Sequence, residues 1–191
     1  MTNDPAAARA FLAVRRLTVY KALHPERALW RETRLVGSAE RRALGAVRIA
    51  PVIFQEHVLG DRDVRVTVVG EELFATAIEP RGAAYPWDYR FSWAEASVTA
   101  CCLPARVGRS VRRLVDRMGL SYAAIDLRRR PDGEHVFPEV NPGGQWLGFA
   151  ERTGQPIAAA VARLLVGGLR RARDLQRTGQ DGRRQGPVEN P

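Results

Sequence analysis

Ala124-Ile-Asp-Leu-Arg-Arg-Arg-Pro-Asp-Gly-Glu-His-Val-Phe-Pro-Glu-Val-Asn-Pro142 reads as two strands joined by a tight turn at Asp132-Gly133. With a two-residue turn at those positions, Asp126 lies directly opposite Glu139. Asn141, two residues on, shares that face because side chains alternate along a strand. Three hard oxygen ligands then converge. A magnesium ion takes such a set and leaves its remaining positions to water and phosphate, so the stretch points to a nucleoside triphosphate. Two other readings stay open. Pro131-Asp132-Gly133 can form a type I turn with a glycine bulge, which slips the register by one and puts Asp126 on the wrong face. Or the acids are surface groups of an ordinary hairpin.

Composition sets the frame around this hairpin. The 191 residues suffice for one domain or two small lobes with a real core. No apolar run approaches the roughly 20 residues that cross a membrane. Met1-Thr-Asn-Asp-Pro5 has no secretory character, so a cytoplasmic chain without a membrane partner is expected. Cys101 and Cys102 are adjacent and lack metal-ligand spacing, and read as two buried thiols. The net charge is +9, and all but one of the 30 basic residues are arginine. The one lysine, Lys21, is either a neutral survivor or a place that needs a compact point charge, as a nucleotide phosphate does. Arg112, Arg113 and Arg117 share one expected helix, and Arg170, Arg171, Arg173, Arg177, Arg183 and Arg184 crowd the C-terminal end. No aromatic interleaving, zinc finger or helix-turn-helix pattern raises this charge to nucleic-acid recognition.

Along the chain, Asn3-Asp4-Pro5 opens a helix running through Leu12. Leu17 to Lys21 is a strand, Glu32 to Val36 a second, and Ser38 caps a short helix to Leu44. Val52 to Val58 is extended. Asp63 to Val69 alternates as a strand, turns at Gly70-Glu71 and returns through Glu72 to Ile78. Pro80 to Trp93 is loop-like. Val107, Val111, Leu114, Val115 and Met118 recur at helical spacing, and Gly119 ends that helix. After the acidic hairpin, Pro156 opens a last helix with Ile157, Ala160, Val161, Leu164 and Leu165 on one face. Residues 176–191 form an Arg-rich tail with almost nothing apolar, expected to be disordered. Antiparallel hairpins with helices packed on them make the class α+β.

These segments in this order resemble the ATP-grasp superfamily, and within it the ATP-grasp ribosomal peptide maturases of the microviridin (graspetide) type. The resemblance rests on Thr2-Asn-Asp-Pro5, Val19-Tyr-Lys-Ala-Leu23, Ile53-Phe-Gln-Glu-His-Val58, Asp63-Val-Arg-Val-Thr-Val-Val-Gly70, Ala124-Ile-Asp-Leu-Arg128, and Val136-Phe-Pro-Glu-Val-Asn-Pro142 with Gly144-Gln-Trp-Leu147. It implies one ATP-grasp domain over 1–170, with a small lobe at about 15–57 and a large lobe at about 58–170. Antiparallel sheets of the two lobes would clasp the nucleotide. Lys21 and Arg90 would contact ATP phosphates and offset developing charge. Glu56 and His57, with Gln55 and Val58 beside them, would form the adenine hinge, and Asp63 an acid near the ribose. Asp126, Glu139 and Asn141 would be the magnesium triad. Arg65 is a phosphate candidate or a strand arginine in an ion pair.

The reaction implied is ATP- and magnesium-dependent. A peptide carboxylate becomes an acyl phosphate, and a hydroxyl or amine then forms an ester or amide. The partner implied is an acidic precursor peptide, drawn to an arginine-rich surface; a homodimer is a further expectation. Two departures stand out. Relatives carry an N-terminal pre-ATP-grasp domain of about a hundred residues, which this chain, opening at Asn-Asp-Pro, lacks on this reading. The His24 to Glu32 loop has no glycine. The alternatives are a glutamate ligase acting on a protein C-terminus and a truncated ATP- or peptide-binding module without turnover.

Overall fold

Asp4 starts the first element. Its carboxylate accepts from the Ala6 N–H at 2.8 Å, and Pro5 fills the first helical position. Such a cap contributes about 1 kcal/mol, and the helix α1 runs Pro5–Val14. The computed structural model describes residues 1–15, 17–23, 33–79 and 93–168. Strands follow at Thr18–Ala22 (β1), Arg34–Leu35 (β2), Val52–Glu56 (β3), Arg62–Val69 (β4), Glu72–Glu79 (β5), Ser97–Cys101 (β6), Tyr122–Arg129 (β7) and His135–Asn141 (β8). Helices lie at Ser38–Arg42 (α2), Ala105–Arg117 (α3), Leu147–Thr153 (α4) and 157–168 (α5), with a 3-10 turn at Leu44–Arg48. The strands form two sheets, ordered β2-β1-β3 and β6-β5-β4-β7-β8. The class is α+β. Among the described residues no helix is long and apolar enough to cross a membrane.

The chain divides into two compact units. One comprises 1–64, 78–97 and 128–137, the other 65–77, 98–127 and 138–191. In the first, Ala8 and Leu12 of α1 bury with Val36 and Leu44, and Tyr20 and Phe54 pack against them. Alternation then sends Val19, Lys21, Ile53 and Gln55 to the other face of the β1–β3 pair, where Val19 meets Gln55 and Lys21 meets Ile53. The α2 cap differs from expectation. Gly37 is the N-cap and its N–H donates to the Glu40 carboxylate at 2.9 Å, so Ser38 is already helical.

In the second unit Val69, Phe74, Ile157 and Ala160 form a buried cluster, with Tyr122, Trp146, Ala150, Val161 and Leu164 against it. Leu165, expected on the same face, is exposed. The alternation of β4 predicts one wet face, yet Val64 to Val69 are all buried. The polar face of this segment is covered from within its own unit. Arg65 lies under the Phe149 ring, its guanidinium 5.2 Å from the centroid, and Thr76 on β5 bonds the Gln155 side chain at 3.0 Å. On α3 the buried side is Val111 and Val115, and Arg106, Arg109, Arg113 and Arg117 are exposed. Cys101 is half-buried and Cys102 exposed, not two buried thiols.

Candidate nucleotide and metal site

The acidic hairpin closes through the glycine-bulge alternative. The Gly133 N–H donates to the Arg130 carbonyl at 2.9 Å, and the Arg130 N–H to the Glu134 carbonyl at 2.8 Å. Gly133 has φ +87, in the left-handed region. The two-residue turn at Asp132-Gly133 is therefore corrected, and the reason is Pro131. That turn would make Pro131 and Glu134 the closing pair, and proline has no N–H to give. The bulged turn instead places Pro131 inside the turn, where its fixed φ fits.

Counted from this turn, Asp126 would fall opposite Pro138, off the face of Glu139. Packing at the far end of the hairpin restores it. A Cβ on Gly144 would lie 2.4 Å from the Ala124 Cβ and 3.5 Å from the Asn141 Cβ, so these side chains share one side. Ala124 and Asp126 alternate onto one face of β7, and Glu139 and Asn141 onto one face of β8. All three proposed ligands therefore lie on the same face.

Asp126 is half-buried, and its Oδ1 lies 3.2 Å from the Nε of buried Arg65. Arg65 is thus a strand arginine in an ion pair, set beside the acid. Asn141 Oδ1 accepts from the Gly143 N–H at 2.9 Å, which orients the amide. The Glu139 side chain is exposed. Tyr122 donates to the Gly144 carbonyl, holding the 142–144 loop on the same face. Burial pushes the Tyr122 phenol up, against an opposing pull from Arg65. Two carboxylates and an oriented amide carbonyl form a donor set that fits a hard divalent cation. Among the described residues no group of three His, Cys, Asp or Glu could hold a metal.

The remaining assigned residues belong to the other unit. Lys21 and Gln55 share one face of the β1–β3 pair. The His57 N–H donates to Leu17 at 2.9 Å, making that pair hydrogen-bonded. Bonded and non-bonded pairs alternate, so Thr18 and Glu56 form a non-bonded pair. The Glu56 backbone therefore points away from β1, and among the described strands β3 is the edge of its sheet. The Glu56 side chain pairs with Arg15 at 3.2 Å on the surface. Val58 follows in the half-buried segment 57–58. Asp63 is gripped by Arg128, with Nε to Oδ1 at 3.0 Å and Nη2 to Oδ2 at 3.3 Å. His57 lies 3.5 Å from Arg128 Nη1 through both ring nitrogens. Burial first, then the Arg128 charge, lowers the His57 pKa from 6.5 to about 4. Arg90, the His24–Glu32 loop and the 176–191 tail lie outside the described residues.

No protein-family model and no curated protein matches the sequence. Solved structures do. The macrocyclase MdnC of Microcystis aeruginosa MRC, bound with the precursor peptide MdnA, is 28% identical at TM-score 0.73, over 87% of this chain and 54% of its own. The fold is ATP-grasp. The ATP-grasp ligase PsnB, complexed with a phosphomimetic variant of a minimal precursor, Mg and ADP, is 27% identical at TM-score 0.70, over 87% and 51%. A Chryseobacterium gregarium RiPP-associated ATP-grasp ligase, with ADP and a leader and core peptide, is 24% identical at TM-score 0.77, over 87% and 53%, a likeness of fold. Within the ATP-grasp fold, the chain resembles the ligases that mature ribosomal peptides, and it spans about half the length of these structures.

Arg128, Tyr122, Gly144 and Phe149 were given no role by sequence. Arg128 had a signal. It stands two residues from Asp126 on one strand, so it shares that acid's face. The others depend on contacts that no spacing records.

Proposed function

We propose that this ATP-grasp chain binds ATP with magnesium and acts as an ATP-dependent ligase on the carboxylates of a ribosomally made peptide. The observation that carries the reading is the oxygen-donor face of Asp126, Glu139 and Asn141 beside buried Arg65. The likeness to MdnC and PsnB supplies the substrate class.

Asp126, Glu139 and Asn141 would hold the magnesium ion, which neutralises charge on the phosphate oxygens when bound. Lys21 acts as a compact positive charge toward the phosphates. The outward Glu56 backbone, with Gln55, His57 and Val58 around it, receives the adenine edge, and Asp63 stands near the ribose. Arg90 adds phosphate charge. The γ-phosphoryl group passes to a peptide carboxylate, giving an acyl phosphate and ADP. A hydroxyl or amine of the same peptide then displaces phosphate and forms an ester or amide. The chain supplies position and charge, not a nucleophile.

The test is incubation with ATP, magnesium and the acidic peptide encoded nearest the gene, read by mass spectrometry. Loss of one water per bond formed, dependent on ATP, is expected. An intact peptide overturns the ligase reading, and added glutamate units would mark the glutamate-ligase alternative instead.

A further inference from the structure

The segment from His57 to Asp63 runs from the end of β3 into the start of β4 and is fixed by two consecutive arginines of β7. The Asp61 N–H donates to the Arg129 carbonyl at 2.9 Å, and the Asp61 carboxylate meets Arg129 Nη2 at 2.7 Å. Arg128 takes the other end, with its Nη2 hydrogen-bonded to Asp63, its Nε in an ion contact with the same carboxylate, and its Nη1 3.5 Å from both nitrogens of His57. Gly60 makes room for it. A Cβ there would stand 2.5 Å from the Arg128 Cγ and 2.6 Å from the Arg129 carbonyl, so only glycine lets the arginine stem cross. Arg128 is mostly buried, with a side-chain exposure of 13%. A planar fork is the one side chain that can span both carboxylate oxygens and still reach a second group.

We infer that Arg128 is a positioning residue for the nucleotide: it latches the His57–Asp63 segment so that the outward-facing Glu56 backbone is held ready for the base. This rests on the ATP-binding reading above. An unlatched segment must be ordered at the moment of binding, and that cost falls on nucleotide affinity. The neutral state of His57 fits the latch, because an uncharged ring can lie against a guanidinium without repulsion. Arg128 acts through loop geometry, so it should matter for ligands that carry a base and not for a bare polyphosphate.

The experiment compares wild type, Arg128→Met and Arg128→Lys in binding to ATP and to inorganic tripolyphosphate, both with magnesium, alongside melting temperature. Arg128→Met is expected to weaken ATP about tenfold and leave tripolyphosphate within about twofold. Arg128→Lys keeps the charge and stem but not the fork, and is expected to fall between the two. In turnover the loss should appear in KM for ATP, with kcat little changed. Equal ATP affinity in all three proteins overturns the inference. So does parallel loss of ATP and tripolyphosphate, which would make Arg128 a phosphate ligand or a fold residue. If Arg128→Met does not fold, Arg128→Lys decides by the same two outcomes. Wild type that binds neither ligand would instead sink the ATP-binding reading itself.

Discussion

Asp126 and Glu139 are both proposed ligands of one metal, yet their surroundings differ, and so should their mutants. Asp126→Asn leaves the Arg65 guanidinium, itself only 10% exposed, without its counter-charge. Breaking such a pair costs on the order of 3 kcal/mol. Glu139 is exposed, so Glu139→Gln should change stability by less than about 0.5 kcal/mol. Both should weaken magnesium-dependent ATP binding roughly tenfold. Denaturant melts beside binding isotherms separate the two effects, and equal melts would deny the Arg65 pairing. His57 makes a pH prediction. Its pKa is about 4 folded against 6.5 unfolded, so in that window the unfolded chain binds more protons. Its contribution to stability is complete above pH 6.5 and is lost as the pH falls toward 4. A His57→Asn variant should show a flatter melting profile over that window; an unchanged slope would contradict the shift. At this scale the alternation that pairs Glu139 with Asn141 was legible, because residues two apart on a strand share a face. The Arg128 latch was not, because its partners Asp63 and His57 are remote in sequence.

The hairpin of β7 and β8 shows what an element's sequence can and cannot say. Asp132-Gly133 marked the bend, but the turn type hung on the missing N–H of Pro131. The side shared by Ala124 and Asn141 hung on the packing at Gly144, which no local pattern announces. Short elements were harder still. α4 has seven residues and two turns of helix, too few for a periodic stripe, and β6 has Val98 as its one buried residue. Two glycines separate turn from site. Gly133→Ala forces a side chain at φ +87, which costs about 1–2 kcal/mol. It should leave metal binding alone, since it acts at the turn. Gly144→Ala drives a Cβ to 2.4 Å from Ala124. That overpacking costs about 1–3 kcal/mol and should also weaken magnesium binding by displacing Asn141. If both glycine variants bind magnesium and ATP as wild type does, the packing argument for the shared face fails.

For the molecule as a whole, the α+β class and the ATP-grasp fold were legible from segment order, because most segments carry their own strand, turn or cap chemistry. Burial was less so. The polar residues of β4 suggest a wet face, and α4 with the following segment covers it. A ligand that binds only the folded state stabilises it by about 2.7 kcal/mol at a hundred times its Kd. For a chain of this size that amounts to roughly 5–10 °C in Tm. Thermal melts with ATP and magnesium together should show this rise, and melts with either alone should show much less. Calorimetric titration of ATP into the chain, with magnesium and again with a chelator, is the most direct test. Saturable one-to-one binding that weakens at least about tenfold in the chelator, and likewise in Glu139→Gln, is the expected result. No binding at all, or binding equally tight without magnesium, would contradict the nucleotide site.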